Sequence, residues 1–344
     1  MQHGLFDSSD AWIVGGKDIS PALILADNGF DVWLANSRGN KYSIPIQFND
    51  GSNSETQNDQ ITNQNYQLNK KSEFVIKNKS NFDKHADFDI PDTIEFILNY
   101  TQQEKLAYIG HSSGNAQMFY GLWKNESYFS EKINLFLALG ASTDYKNAKS
   151  KILQNLSQNH KWVYKVITLV EGERQIFNTP ISLTSKLQTL GRLMFPSLFN
   201  KFVELATDTN SSDINDQVAL LRYQAHYPSG SSAKQLDHFS QMISQQKFQL
   251  FDYGLEQNLQ IYNQTSPPEI MLENIKEVPI GLFCGENDQI STVEDNRIIR
   301  DRLQQNGKLV HYKEYKNIGH SSFMVAKDPQ YMKDVIELLQ KYNK

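Results

Sequence analysis

The tightest constraint in this chain is five residues long. Gly110-His111-Ser112-Ser113-Gly114 follows the apolar run Leu106-Ala107-Tyr108-Ile109 and precedes a helix-compatible stretch over 115–124. A buried strand, a turn with glycine at both ends and then a helix leave little conformational freedom. A turn this tight is expected to be strained, with glycine at 110 and 114 because side chains there would collide with the neighbouring strand and helix. Such a pentapeptide also arises by accident, so the weight of the argument falls on partners elsewhere in the chain.

Around this turn the sequence alternates strand and helix signals. Residues 20–28 read as a short helix, with Ser20 capping, Pro21 in the first turn and Asn28-Gly29 closing it. The run from Phe30 to Ala35 then reads as a strand ending in Asn36-Ser37-Arg38-Gly39-Asn40. A helix follows from Pro91, with Ile94, Ile97 and Leu98 on one face, and after the serine turn Ile133 to Leu139 reads as another strand. From 143 to 272 the rhythm gives way to helical, irregular sequence rich in aromatics: Phe195, Phe199, Phe202, Tyr223, Phe239, Phe248, Phe251 and Tyr253. It resumes with a strand from Val278 to Cys284 and a helix opened by Ser291-x-x-Glu294 as a capping box, with Ile298, Ile299 and Leu303 inward. A strand from Leu309 to Tyr315 and a last helix complete the pattern, the helix capped by Asp328 with Pro329 in its first turn and Met332, Val335, Ile336 and Leu339 on one face. Strands alternating with helices of this length imply a mostly parallel sheet flanked by helices. The expected organisation is therefore a core built from 1–142 and 273–344, interrupted by a helical cap or lid over 143–272. Residues 49–72, mostly Asn, Gln, Ser and Asp, read as a solvated loop inserted in the first part.

Composition removes several classes of function. The formal net charge is −5 and the one adjacent basic pair is Lys70-Lys71, which argues against nucleic acid as a partner. The single cysteine, Cys284, excludes an internal disulfide and a cysteine-rich metal site; in its strand it reads as a buried thiol. No apolar run reaches the roughly 18 residues needed to span a bilayer, and Met1-Gln2-His3-Gly4 lacks the charged and apolar start of a secretory signal. Six Asn-x-Ser/Thr sequons, at Asn78, Asn99, Asn125, Asn155, Asn210 and Asn263, hint at the secretory route.

A serine hydroxyl is a weak nucleophile at neutral pH and needs an imidazole to take its proton and a carboxylate to hold that imidazole. In the α/β-hydrolase fold, which this pattern resembles, the chain order is serine, acid, histidine, each at a strand's carboxyl end. Asp288 lies just past strand 278–284, and His320 lies past strand 309–315 in Asn317-Ile318-Gly319-His320-Ser321-Ser322-Phe323. Glu286, Asp295 and Asp301 compete as the acid, but Asp295 and Asp301 fall within the expected helix and Glu286 within the turn itself. Of the eight histidines, His311 falls in a strand, and His160, His226 and His238 fall in the cap, where hydrogen-bonded structural roles are expected. Two backbone N–H groups must also face the developing oxyanion; Ser113 after the nucleophile and Leu5 in the early turn His3-Gly4-Leu5 are placed to offer them.

Beyond the fold pattern, the chain resembles the acid lipase family of gastric and lysosomal lipases, relatives of triacylglycerol and cholesteryl ester hydrolases. The resembling segments are Gln2 to Trp12, Ala22 to Asn40, Phe88 to Ile94, Gly110 to Gly114 and Asn317 to Phe323. Carried over position by position, the resemblance implies Ser112 as nucleophile, Asp288 and His320 completing a triad, and the Leu5 and Ser113 amides as the oxyanion hole. It also implies a neutral lipid ester as substrate, a lipid interface as partner, and residence in a lysosome or outside the cell. Under it, the aromatic stretch from Leu193 to Val203 either meets the interface or packs within the cap.

The chain departs from the family pattern in having no cysteine in the cap, Ser113 where Gln is common, and the polar loop 49–72. In the family a leader and the first strands precede the His-Gly-Leu turn, so Met1 falls where a third strand would be ending, and the first strands of the sheet are expected to be missing from this chain. Three readings follow: a serine hydrolase of neutral lipid esters; a catalytically silent lipid-binding or interaction protein on the same scaffold; and a hydrolase of another ester, an epoxide or a peptide, epoxides being disfavoured because their hydrolases of this fold use an Asp nucleophile. Asp83, His85, Asp87 and Asp89 invite a metal reading, but acidic groups at a helix entrance also suit its dipole, and neither metal nor cofactor is expected. Arg38 is expected in an ion pair, or orienting the site.

Overall fold

The computed structural model of the chain describes residues 1–43, 80–171 and 206–343 except 306, with a few further positions between 175 and 201. The polar loop 49–72 and most of the stretch 193–203 lie outside the described residues. Four parallel strands form the central sheet: β1 (Leu106–His111), β2 (Ile133–Leu139), β5 (Ile280–Gly285) and β6 (Leu309–Tyr315), side by side in that order. A minor antiparallel pair joins β3 (Gln175–Ile176) to β4 (Ser231–Ser232).

Because successive strand residues point to opposite faces, the apolar runs of the sheet divide into two cores. Tyr108, Phe136, Ala138, Ile280 and Leu282 face one cluster, with Ile94 and Leu98 of α2 (Ile90–Thr101), Met118 and Phe119 of α3 (Ser113–Ser130) and Ile299 and Leu303 of α9 (Val293–Gln304). Ile109, Leu135, Leu137, Leu139 and Phe283 face the other, with Leu25 of α1 (Pro21–Asp27) and Val335 and Leu339 of α10 (Tyr331–Tyr342). Cys284 is fully buried in β5.

Between β2 and β5 the described elements are mainly helices, α4 (Lys151–Gln158), α5 (His160–Glu171), α6 (Gln217–His226), α7 (Ala233–Gln245) and α8 (Leu255–Tyr262). Several aromatics of this segment are buried, Tyr223, Phe239, Phe248 and Phe251 among them, with His238 and Phe248 stacked on Phe82 of the first part at 4.5 and 5.7 Å, whereas Trp162 and Phe195 are exposed. His160 pairs with Asp237 at 2.6 Å, His226 with Asp10 at 2.8 Å, and His238 Nε2 donates to the Gln249 carbonyl at 2.9 Å. In β6, His311 Nε2 bonds the Tyr315 hydroxyl at 3.1 Å.

Four local expectations need correction. Ser20 stands at the start of α1, but its hydroxyl makes no capping hydrogen bond. The run Phe30 to Ala35 is not a strand: within it only Ala35 forms a bridge, parallel to Gln2, and the backbone of 30–34 has no ladder partner among the described residues. Beside it lies a cavity of about 530 Å³, lined by Leu25, Val32, Trp33, Ile94, Leu98 and Ala107 among others and by none of the expected site residues. The cap of α9 is shifted by one residue. Thr292 Oγ1 accepts from Asp295 N–H at 3.3 Å, while the Ser291 hydroxyl is drawn away to the Ala141 carbonyl. The last helix starts at Tyr331, two residues beyond Pro329, since the backbone turns once more before the apolar face of α10 meets the sheet.

His238 generates a test of acid stability. Burial pushes its pKa down to about 3, so at neutral pH it is uncharged in both folded and unfolded chains, but as pH falls below the ordinary value of 6.5 only the unfolded chain takes the proton. Stability is therefore lost from pH 6.5 toward 3, at ~1.4 kcal/mol per pH unit for each histidine of this kind. His3 and His85, each pushed down to about 4 by burial, add to the loss. His238→Gln keeps a donor for the Gln249 carbonyl without the titration; thermal melts from pH 7 to 4 should fall less steeply for this variant than for the wild type.

Candidate active site

The serine turn has the strained geometry that its glycines foretell. Ser112 adopts φ 52°, ψ −117°, in the left-handed half of backbone space, a conformation that costs a non-glycine residue ~1–3 kcal/mol. A methyl group at Gly114 would stand 2.6 Å from the Gln2 carbonyl, and one at Gly110 would collide with the Asn115 side chain. Asn115 Nδ2 in turn donates to the Leu139 carbonyl at 2.8 Å, and Ser112 N–H reaches the same oxygen at 3.2 Å, so the turn is tied to the end of β2. Ser112 caps the 18-residue helix α3, whose amino end directs its N–H dipoles at the serine.

Asp288 and His320, read from the sequence as acid and base, meet in the structure. Asp288 Oδ2 lies 2.8 Å from His320 Nδ1, and its Oδ1 accepts from the Ile290 and Ser291 N–H groups, each at 2.8 Å. Both residues are buried. The loop after β2 is the floor shared with Ser112. A methyl at Gly140 would stand 3.3 Å from Asp288 Oδ2 and 3.4 Å from His320 Nδ1, while Ser142 Oγ is 3.5 Å from Ser112 Oγ. His111, inside the serine turn, donates from Nε2 to the His320 carbonyl at 2.9 Å, its ring 4.8 Å from that of His320. Of the competing acids, Asp295 is turned away to hold Asn147 N and Nδ2 at 3.0 and 2.8 Å, Asp301 pairs with Arg300, and Glu286 is exposed.

Burial alone would disfavour a charged His320. The charge of Asp288 and its hydrogen bond, helped by Asp208 and Asp7, outweigh that effect and raise the imidazole above its ordinary value. His111 is held far below its ordinary value by burial, and then by the nearness of His320. Two adjacent rings thus have opposite preferences, one for the proton and one against it.

The turn carrying Leu5 is locked onto the serine by hydrogen bonds from the segment 36–40. His3 Nε2 accepts from Ser37 N–H at 3.0 Å, which leaves Nδ1–H to donate to the Gly4 carbonyl at 2.8 Å. Gln2 Nε2 donates to Ser37 Oγ at 2.7 Å, and Asn40 Nδ2 joins Asn36 Oδ1 at 2.8 Å. Gly4 packs against the serine, where a methyl would stand 3.1 Å from Ser112 Cβ; Leu5 follows it and is half-buried. Ser113, the first residue of α3, accepts at its hydroxyl from Gln235 Nε2 of α7 at 3.0 Å. Gln235 and Asp208, which bonds the Ser321 amide at 3.0 Å, went unread in the sequence. Neither lies in a motif, and only packing brings them to the site.

Arg38 forms its ion pair with Asp89, its Nε donating at 2.6 Å and its backbone N–H at 3.1 Å. Asp87 is taken by Lys124 and by the Tyr120 hydroxyl, Asp83 lies near Lys84, and both ring nitrogens of His85 are buried without a hydrogen-bond partner among the described residues.

Known proteins agree with this architecture. The family described as the alpha/beta hydrolase fold matches residues 1–327. Gastric triacylglycerol lipase of Bos taurus is 30% identical over 330 residues, covering 95% of this chain and 75% of that protein. Lipase member K of Homo sapiens is 28% identical over 348 residues, covering 99% and 79%. A Crotalus adamanteus protein provisionally named a lysosomal acid lipase/cholesteryl ester hydrolase is 29% identical over 346 residues, covering 99% and 78%. Among solved structures, a thermophilic esterase from Thermogutta terrifontis superimposes with a TM-score of 0.55 at 12% identity, over 100% of this chain and 89% of that one, a likeness of fold. With a parallel sheet that carries a strained serine past one strand and a hydrogen-bonded aspartate and histidine past two others, and with relatives of this kind along nearly its whole length, the chain belongs to the α/β-hydrolase fold family, among the gastric and lysosomal acid lipases.

Proposed function

We propose that this protein is a serine hydrolase of carboxylic esters of neutral lipids, triacylglycerols or cholesteryl esters, working through Ser112, His320 and Asp288. The observation that carries the reading is the buried Asp288–His320 hydrogen bond of 2.8 Å beside a serine held at φ 52°. Asp288 accepts from Nδ1–H and so leaves the lone pair of Nε2 to take the Ser112 proton as Oγ attacks the ester carbonyl. The Leu5 and Ser113 N–H groups receive the charge that builds on the carbonyl oxygen. His320 then returns its proton to the departing alcohol, leaving an acyl group on Ser112. Water, deprotonated by His320, releases the fatty acid and restores the serine.

The helical segment 143–272 serves in this reading as a cap over the site, set into a core of 1–142 and 273–344. Contacts of Gln235 with Ser113 and of the Tyr223 hydroxyl with Asp7, at 3.0 and 2.8 Å, support that placement. Among the described residues no helix is long and apolar enough to cross a membrane. We assign the protein to a lysosome or to the outside of the cell, as the names of its relatives suggest. The sequons at Asn99, Asn125, Asn155, Asn210 and Asn263 are exposed, as glycosylation on that route requires.

A fluorophosphonate probe should label Ser112 of the wild type, and emulsified long-chain esters should be hydrolysed. Ser112→Ala should abolish labelling and lower kcat by about 10⁴- to 10⁶-fold. Lipid binding without labelling or turnover would sink the hydrolase reading in favour of the silent scaffold. The acid limb of kcat/KM gives a second check, because only neutral His320 accepts a proton and activity is lost as pH falls through its pKa. Asp288→Asn removes the charge that raises that pKa, so the limb should move to lower pH while kcat drops by about 10⁴-fold.

A further inference from the structure

Asp208 is a buried carboxylate, 3% exposed, that lies outside the proposed triad and yet touches both of the turns that carry its acid and base. The stretch 207–209 pairs antiparallel with 287–289: Thr209 N–H donates to the Asn287 carbonyl at 2.9 Å, Gln289 N–H to the Thr207 carbonyl at 3.1 Å, and Asp208 bridges Asp288. Its side chain crosses to the other turn. Oδ1 accepts from Ser321 N–H at 3.0 Å, and Oδ2 accepts from the Ser321 hydroxyl and from Asn215 Nδ2 at 3.2 Å. Gly319 lies flat against the same carboxyl, where a methyl group would collide with it. One side chain thus grips residues on either side of His320 while its own backbone is laddered to Asp288.

We propose that Asp208 is a positioning residue, clamping the turn of His320 to the turn of Asp288 and placing a second negative charge behind the imidazole. The proposal rests on the hydrolase reading of the site. Geometry alone would be served by a neutral acceptor, and an ionised carboxyl is costly to bury. Charge has a use here because the imidazolium formed when Ser112 loses its proton is itself buried, where attraction over several ångströms is weakly screened. The titratable groups that act on His320 are Asp288 from the turn after β5, Asp208 from the bridging stretch and Asp7 from the amino-terminal turn, with His111 of the serine turn packed against its ring. Burial lifts the Asp208 carboxyl to about 6 against the pull of the Ser321 hydroxyl and amide, so its charge is present above that pH and fades below it.

The test compares wild type, Asp208→Asn and Asp208→Ala in the full chain by NMR titration of the His320 imidazole, by fluorophosphonate labelling rate and by kcat and KM. Asn keeps an acceptor for Ser321 N–H while removing the charge, together with the second acceptor that serves the Ser321 hydroxyl and Asn215 Nδ2. It should move the His320 titration to lower pH and reduce kcat about tenfold, equivalent to ~1.4 kcal/mol, with KM within twofold. Ala also releases the turn and should reduce kcat and the labelling rate by about 10²-fold. If Ala does not fold, Asn carries the test. An unchanged His320 titration in Asp208→Asn, or variants that melt at lower temperature with kcat within twofold of wild type, would overturn the clamp. The NMR titration needs no turnover, so a wild type that is neither labelled nor active condemns the hydrolase reading separately from the clamp.

Discussion

A carboxylate buried at the carboxyl end of β5 organises the site and much around it. Asp288 has one oxygen bound by two backbone N–H groups and the other by His320, at 2.8 Å in each case, so its charge is neutralised by directed hydrogen bonds in place of water. Those bonds fix the course of the chain from 288 to 291, and Ser291 carries the constraint on to the Ala141 carbonyl in the loop that floors the serine. If the acceptors of Asp288 were left unpaired, both the entry to α9 and the position of His320 would lose their support.

The serine side is held by different means. Ser112 is strained, and strain persists only where the surroundings over-determine it. Here they do so from three directions: β2 through the Leu139 carbonyl, the amino-terminal turn through Gly4, and α7 through Gln235. The buried hydrogen-bond network of His3, Ser37, Asn36 and Asn40 explains why a polar run follows an apolar stretch in this part of the sequence. Each of these side chains satisfies a group that would otherwise be buried unpaired, and together they hold the Leu5 turn beside the serine.

Histidine protonation is sorted by environment. His3, His85, His111 and His238 are buried and driven toward the neutral form by loss of water, while His320, equally buried, is driven the other way by carboxylates. A site that needs one imidazole to accept a proton gains selectivity when the ring tilted against it, His111, resists charging.

Periodicity and turn chemistry by themselves determined the sheet and its helices. β2 and β6 fall on the very residues read as strands; β2, covered on both faces, is almost wholly apolar, whereas β6 at the sheet's edge is half-buried and carries Lys313 and Glu314. The serine turn was equally legible, since only glycines tolerate the close approach of Gln2 and Asn115, and the pairing of Asp288 with His320 follows from strand ends that converge in a parallel sheet. Tertiary structure decided what local pattern cannot encode. Phe30 to Ala35 has strand composition but forms a single bridge, at Ala35, among the described residues, and the start of α9 moved by one residue because the Ser291 hydroxyl bonds the Ala141 carbonyl across the core. Asp208 and Gln235 carry no sequence signal of their own; their relation to His320 and Ser113 comes from contacts spanning 113 and 122 residues, which arise only when the inserted helices pack onto the sheet.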